Sequence, residues 1–115
     1  MEVILLGAVG RDAYADCIMD SIADKRINTD YIRVESGMTT ANNRTYLTAE
    51  GDRYYKENSW NGDIVDKMIL NEAELNVIAH ADAVFIHFWA GCFHQVLDAK
   101  KKYHFKLAVD FDIFL

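Results

Sequence analysis

The side chains able to do chemistry fall into a few groups. His87, Cys92 and His94 surround one expected strand-to-helix turn and carry zinc-ligating atoms. Their spacing matches no zinc pattern and a fourth ligand is missing, so a hydrogen-bonded core histidine is the favoured reading. Cys92 and His94 stand too near each other to define a nucleophile–base pair, and no serine elbow is present. Asp12, Asp16, Asp20 and Asp24 recur every four residues. Like charges at that spacing mark a solvated helix face more often than a metal site. Gly7 and Gly10 precede a helix start, where backbone N–H groups can hold phosphate. The pattern is only G-x-x-G, short of a dinucleotide fingerprint, and a tight strand-to-helix turn explains it. Asp110 and Asp112 close an expected parallel strand, the end at which α/β folds place ligands.

The richest stretch is Gly37 to Trp60, GMTTANNRTYLTAEGDRYYKENSW. It reads as a β-hairpin with arms Thr40 to Thr48 and Asp52 to Glu57, turning at Glu50-Gly51. Alternation puts Asn42, Arg44, Tyr46 and Thr48 on one face of the first arm, and Tyr54 with Lys56 on one face of the second. Neither face is wholly apolar. Such a sheet makes a poor core, but it offers hydrogen-bonding groups and aromatic rings to a polar ligand. An ordinary exposed hairpin is the competing reading.

The elements that must position these residues follow from the rest of the chain. It has 115 residues, half of them hydrophobic, which suits one domain with a real core. The net charge of −6 argues against nucleic acid or an anionic membrane as main partner. Lys100 to Lys102 reads as a solvated helix face. Two cysteines are too few for a disulfide framework, so a reducing cytoplasm is expected. The apolar run at Val3 to Val9 is short and lacks a basic flank, which makes it a strand and not a signal peptide. Nothing approaches the ~20 apolar residues of a membrane span. The absence of proline has no physical account in the sequence.

In order, Glu2 to Leu6 is expected to be a strand covered on both faces, and Asp12 the N-cap of a helix. That helix should bury Tyr14, Cys17, Ile18, Ser21 and Ile22 and end near Lys25-Arg26. Ile27 to Asp30 reads as a turn and Tyr31 to Glu35 as a strand. After the hairpin, Asn58 to Asp63 reads as loop and Ile64 to Leu70 is ambiguous. Asn71 and Glu74 form a capping-box start. Ala83 to Phe88 and Phe105 to Val109 are strands around a helix striped by Phe93, Val96 and Leu97. Strands alternating with helices predict an α/β fold with a parallel sheet of about three strands and a small β-hairpin insertion.

Four segments, taken in order, resemble the central part of the PfkB-type, ribokinase-like carbohydrate kinases. LLGAVGRDAYADCIMDSI resembles the family's strand–x-x-G-x-D–helix segment. INTDYIRVESGMTTANNRTYLTAEGDRYY is similar to its helix exit and the β-lid over the sugar. LNVIAHADAVFIHF and LDAKKKYHFKLAVDFD resemble its next two helix–strand units. The nearest subgroup is the fructoselysine-6-kinase and fructokinase-like set. The resemblance spans nearly the whole chain and rests on segment order and lid texture. In the family's D-x-N-x-R motif Asp110 matches, whereas Asp112 and Phe114 stand where Asn and Arg are common.

The resemblance implies one domain over residues 1–115, with a partial kinase core at 1–30 and 61–115 and the lid at 31–60. It implies a sugar substrate, with ATP and Mg²⁺ used by the intact enzyme. It places Asn42, Tyr54, Lys56 and Trp89 at sugar-facing positions. The family's G-A-G-D motif and catalytic base match nothing in this sequence. The chain is therefore expected to be a central piece of a kinase that is inactive alone, with no catalytic, cofactor or metal residue of its own. Lids of many relatives pair between subunits, so a homodimer through Tyr31 to Glu57 is expected. The alternatives are a non-catalytic binding or dimerisation module and a flavodoxin-like nucleotide binder. Adjacent genomic sequence encoding a G-A-G-D segment would favour the kinase.

Overall fold

A computed structural model describes residues 1–24 and 26–111. The expected helix end at Lys25 and the two motif departures, Asp112 and Phe114, lie outside the described residues. The backbone forms two compact units, 1–65 and 66–115.

The first unit opens with β1 (Val3–Ile4) and β2 (Gly7–Val9), followed by α1 (Ala13–Ser21), β3 (Ile27–Asn28) and β4 (Ile32–Val34). β1 pairs with β3 and β2 with β4, both parallel. The register is Val3 to Ile27 in the first pair and Gly7 to Ile32 in the second, so one extra residue is accommodated on the later chain. The strand therefore runs past Leu6 into the expected glycine turn, and Ile27-Asn28 is a strand, not a turn. Parallel pairing with an earlier segment overrides the local turn signal of Asn28. β1 is also more exposed than expected, with Val3 and Ile4 each at 36%. A two-stranded pair with one nine-residue helix in its unit has little to cover both faces.

Asp12 caps α1 as expected, its Oδ1 accepting the Ala15 N–H at 2.9 Å. The helix stops at Ser21, earlier than expected. Its inward residues are Ala15, Met19 and Ile22, while Tyr14, Cys17, Ile18 and Ser21 are exposed. Both stripes have helical spacing, and only the packing of α1 decides which one turns inward.

The unit continues through β5 (Asn42–Asn43), β6 (Tyr46–Leu47), β7 (Arg53–Tyr54) and β8 (Trp60–Asn61). These form two antiparallel ladders, β5 with β8 and β6 with β7. The hairpin exists, and Gly51 turns it at a φ of 90°. Its second arm is longer than expected, because Trp60-Asn61 pairs as a strand.

The second unit begins with an irregular apolar stretch that buries Met68 and Leu70. α2 (Glu72–Ala79) starts in the expected capping box: Asn71 Oδ1 accepts the Glu74 N–H, and Glu74 Oε2 accepts the Asn71 N–H. β9 (Ala83–His87), α3 (Phe93–Lys102) and β10 (Lys106–Asp110) make a βαβ unit with a five-residue parallel pair. Ile78, Ile86, Cys92, Val96, Ala99 and Phe105 are buried, and Phe85, on the opposite sheet face from Ile86, is 67% exposed. Gly91 is required by close approach, since a Cβ there would lie 2.3 Å from the Asp66 carbonyl oxygen. Both units are α/β, with three helices and three parallel strand pairs in all among the described residues.

Candidate functional site

The hairpin departs from a simple ribbon between its two ladders. Asn43 faces Trp60 and Tyr46 faces Tyr54, so residues 44–45 on one arm oppose 55–59 on the other. Such an unequal bulge would leave backbone groups unpaired, and Ser59 closes it. Ser59 is fully buried. Its carbonyl accepts the Arg44 N–H at 2.8 Å, and its Oγ accepts the Lys56 N–H at 2.7 Å. One small buried residue thus fixes the main chain beneath two cationic side chains.

Register then assembles one face. Tyr46 stacks on Tyr54 with ring centroids 5.5 Å apart. Lys56 Nζ lies 4.1 Å from the Tyr46 ring centroid and 6.0 Å from that of Tyr54. An exposed cation over a tyrosine contributes about 0.5–1 kcal/mol. The Tyr46 phenol, and then that of Tyr14, raise the Arg44 pKa. Tyr55 and Trp60 form a separate stack at 5.6 Å.

Of the four expected site residues, Tyr54 and Lys56 come together. Asn42 donates its side-chain amide to the Thr40 carbonyl at 3.0 Å and is half-buried. Trp89 belongs to the second unit, just past β9. It stacks on His87 at 4.7 Å, and His87 Nδ1 lies 3.3 Å from Asp110 Oδ2 across the β9/β10 register. Tyr46 and Arg44 were visible as hairpin residues but not as candidates. Alternation shows which residues share a face of one arm, whereas only register shows who stands opposite.

The glycine turn has a structural explanation. A Cβ on Gly10 would sit 2.1 Å from the Met38 carbonyl oxygen, while one on Gly7 meets nothing within 4 Å. Asp12 Oδ2 accepts the Thr40 N–H at 2.9 Å, and Thr40 Oγ1 accepts the Gly10 N–H at 2.8 Å. A cleft of about 500 Å³ borders this turn, lined by Gly10, Arg11, Asp12, Asp16 and Val34 among others. None of the four expected residues lines it. No group of three or more His, Cys, Asp or Glu among the described residues could hold a metal ion. No described helix is long and apolar enough to cross a membrane.

The fold is similar to those of known sugar kinases. Ribokinase from Arabidopsis thaliana, solved with ribose and ATP, superposes with a TM-score of 0.83 over 98% of this chain at 20% identity. Fructokinase from Xylella fastidiosa gives 0.68 over 98% at 18% identity, and ribokinase from Giardia lamblia 0.59 over 96% at 17%. This chain covers 38%, 37% and 38% of those chains, respectively. No protein-family model and no curated protein sequence matches.

Proposed function

We propose that this chain carries the sugar-facing central segment of an ATP-dependent carbohydrate kinase of the PfkB, ribokinase-like type. The observation that supports it most is the superposition on a ribose- and ATP-bound ribokinase over 98% of this chain. In this reading the hairpin is the lid. Tyr54 supplies an aromatic wall, and Lys56 and Asn42 supply a donor and an acceptor; Trp89, in the second unit, is a separate sugar-facing candidate. ATP and Mg²⁺ belong to the intact enzyme. Fructose and fructosamine head the substrates to test, and a cytoplasmic setting accompanies the reading, with Cys17 and Cys92 unbridged.

Isothermal titration with ribose, fructose and a fructosamine tests it. At least one sugar should bind, and Tyr54→Ala and Trp89→Ala should each weaken binding by roughly five- to tenfold, the range of a lost aromatic contact. A coupled ADP-release assay of the chain alone should stay at background. Absence of binding for every sugar, or affinities indifferent to both variants, would refute the assignment.

A second reading, self-association through the hairpin, draws on its exposed apolar side chains. Leu47 is 64% exposed, Trp60 58% and Tyr55 46%. A two-stranded sheet is marginal unless something packs on it. Light scattering at micromolar concentration should give a dimer, and Leu47→Glu should return it to monomer. A monomeric mass at every concentration removes this reading and leaves the kinase one untouched.

A further inference from the structure

We propose that His87, set beside Asp110, is a positioning residue that holds the Trp89 ring in the orientation a sugar stacks on. The inference rests on the reading of Trp89 as a sugar-facing residue, and it adds a residue that this reading leaves out.

Trp89 follows β9 in a tight turn. The Ala90 N–H donates to the His87 carbonyl at 3.2 Å, and the Phe88 N–H donates to the Asp110 carbonyl at 3.1 Å. These bonds fix the main chain and leave the side-chain torsions of Trp89 to its neighbours. An exposed side chain otherwise moves between rotamers within nanoseconds. Two rings restrain this one. His87 stacks on it at 4.7 Å with 26° between the planes, and Phe88 meets it edge-on at 5.3 Å. The imidazole takes one face of the indole, yet Trp89 stays 38% exposed, enough for a sugar ring to reach it.

His87 is itself braced. Register sets it directly opposite Asp110, and its Nδ1 lies 3.3 Å from Asp110 Oδ2. Nδ1 is buried from solvent and makes no hydrogen bond. The attraction of the carboxylate for a proton on Nδ1 keeps that nitrogen in place, since turning the ring separates the two. Phe85, two residues back on the same strand face, meets the imidazole edge-on at 5.6 Å. A buried polar atom without a hydrogen bond costs stability and calls for a compensating role. A stack that fixes Trp89 supplies one, and the series Asp110–His87–Trp89 links a strand carboxylate to an exposed indole through two direct contacts.

The test reads the mobility of the ring and the binding of sugar separately. Trp60→Phe leaves Trp89 as the sole tryptophan, so its fluorescence anisotropy decay reports the motion of that ring. In this background His87→Ala should enlarge the fast, nanosecond component. Asp110→Leu should do the same, and Asp110→Asn, which keeps an oxygen facing Nδ1, should restore part of the restraint. Urea unfolding checks each variant; should His87→Ala lose its transition, the two Asp110 variants decide. Calorimetric titration with ribose, fructose and a fructosamine gives the second arm. His87→Ala should weaken sugar binding by about threefold or more, the effect of a contact that is no longer pre-oriented. The double variant His87→Ala/Trp89→Ala should bind no more weakly than Trp89→Ala, because His87 acts through Trp89. An anisotropy decay indifferent to His87→Ala and to Asp110→Leu overturns the inference and leaves the sugar reading standing. Additive losses in the double variant overturn it as well, since His87 then acts on the sugar by another route. No sugar bound by the wild type refutes the sugar reading of Trp89, and the anisotropy arm still decides whether His87 holds the ring.

Discussion

Asp12 and Thr40 hold each other across the first unit, joining the start of α1 to the root of the hairpin. Asp12 Oδ2 accepts the Thr40 N–H, its Oδ1 accepts the Ala15 N–H, and Thr40 Oγ1 accepts the Gly10 N–H. One carboxylate thus caps a helix and anchors the hairpin, and Thr40, 1% exposed, returns the contact to the turn. The root of the hairpin is tied to the start of α1 by the Asp12–Thr40 bond and to the turn before it by the Gly10–Thr40 bond.

This closure should be visible in the acid stability of the chain. The Thr40 N–H, and then the Ala15 N–H, hold the Asp12 pKa below its ordinary 3.8. A folded-state pKa lower than the unfolded one stabilises above the unfolded value and is lost as pH falls through the folded value. Urea unfolding from neutral pH downward should therefore show a wild-type advantage over Asp12→Asn that is full well above the ordinary carboxylate pKa and shrinks as pH falls below it. Thr40→Val should cost about 1–3 kcal/mol, because it leaves the buried Gly10 N–H unpaired. An advantage of wild type over Asp12→Asn that does not change with pH would contradict the charge-based account.

The glycines should separate by contact. Gly62 has a φ of 80°, and a Cβ there would lie 2.7 Å from the Thr39 carbonyl oxygen. Gly62→Ala and Gly10→Ala should each destabilise by roughly 2 kcal/mol or more, through backbone strain in one and a carbonyl clash in both. Gly7→Ala meets open space and should stay within about 1 kcal/mol of wild type. Thermal melts of the three variants give the comparison, and equal losses at all three would show that contact is not the deciding factor.

In the second unit, Gln95 stands in for a strand. Its Oε1 accepts the Leu70 N–H at 2.8 Å and its Nε2 donates to the Leu70 carbonyl at 3.0 Å. Gln95→Leu keeps the apolar bulk but strands both backbone groups of a residue only 5% exposed. The expected cost is about 2–4 kcal/mol, measured by urea unfolding with the m-value unchanged. A loss under about 0.5 kcal/mol would mean that water replaces the amide there.

The sequence alone determined what depends on neighbours in the chain. Asp12 and Asn71 cap helices because a short polar side chain reaches an N–H three residues ahead. Gly51 turns the hairpin because its φ is positive, and β9, α3 and β10 follow their apolar periods. The order of segments also carried the kinase-like fold. Tertiary structure decided what depends on distant partners. It turned Ala15 and Met19 of α1 inward in place of Tyr14, Cys17 and Ile18, while Ile22 stayed on the inner side as expected, since both stripes have helical spacing and packing selects one. It made Ile27-Asn28 a strand by pairing it with Val3-Ile4. It set Tyr46 opposite Tyr54 and inserted the bulge that Ser59 closes. Pairing register is a long-range quantity: a shift of a few residues between arms changes every cross-strand neighbour while leaving the alternation of each arm intact. The face that gathers Tyr46, Tyr54 and Lys56 exists only through that register.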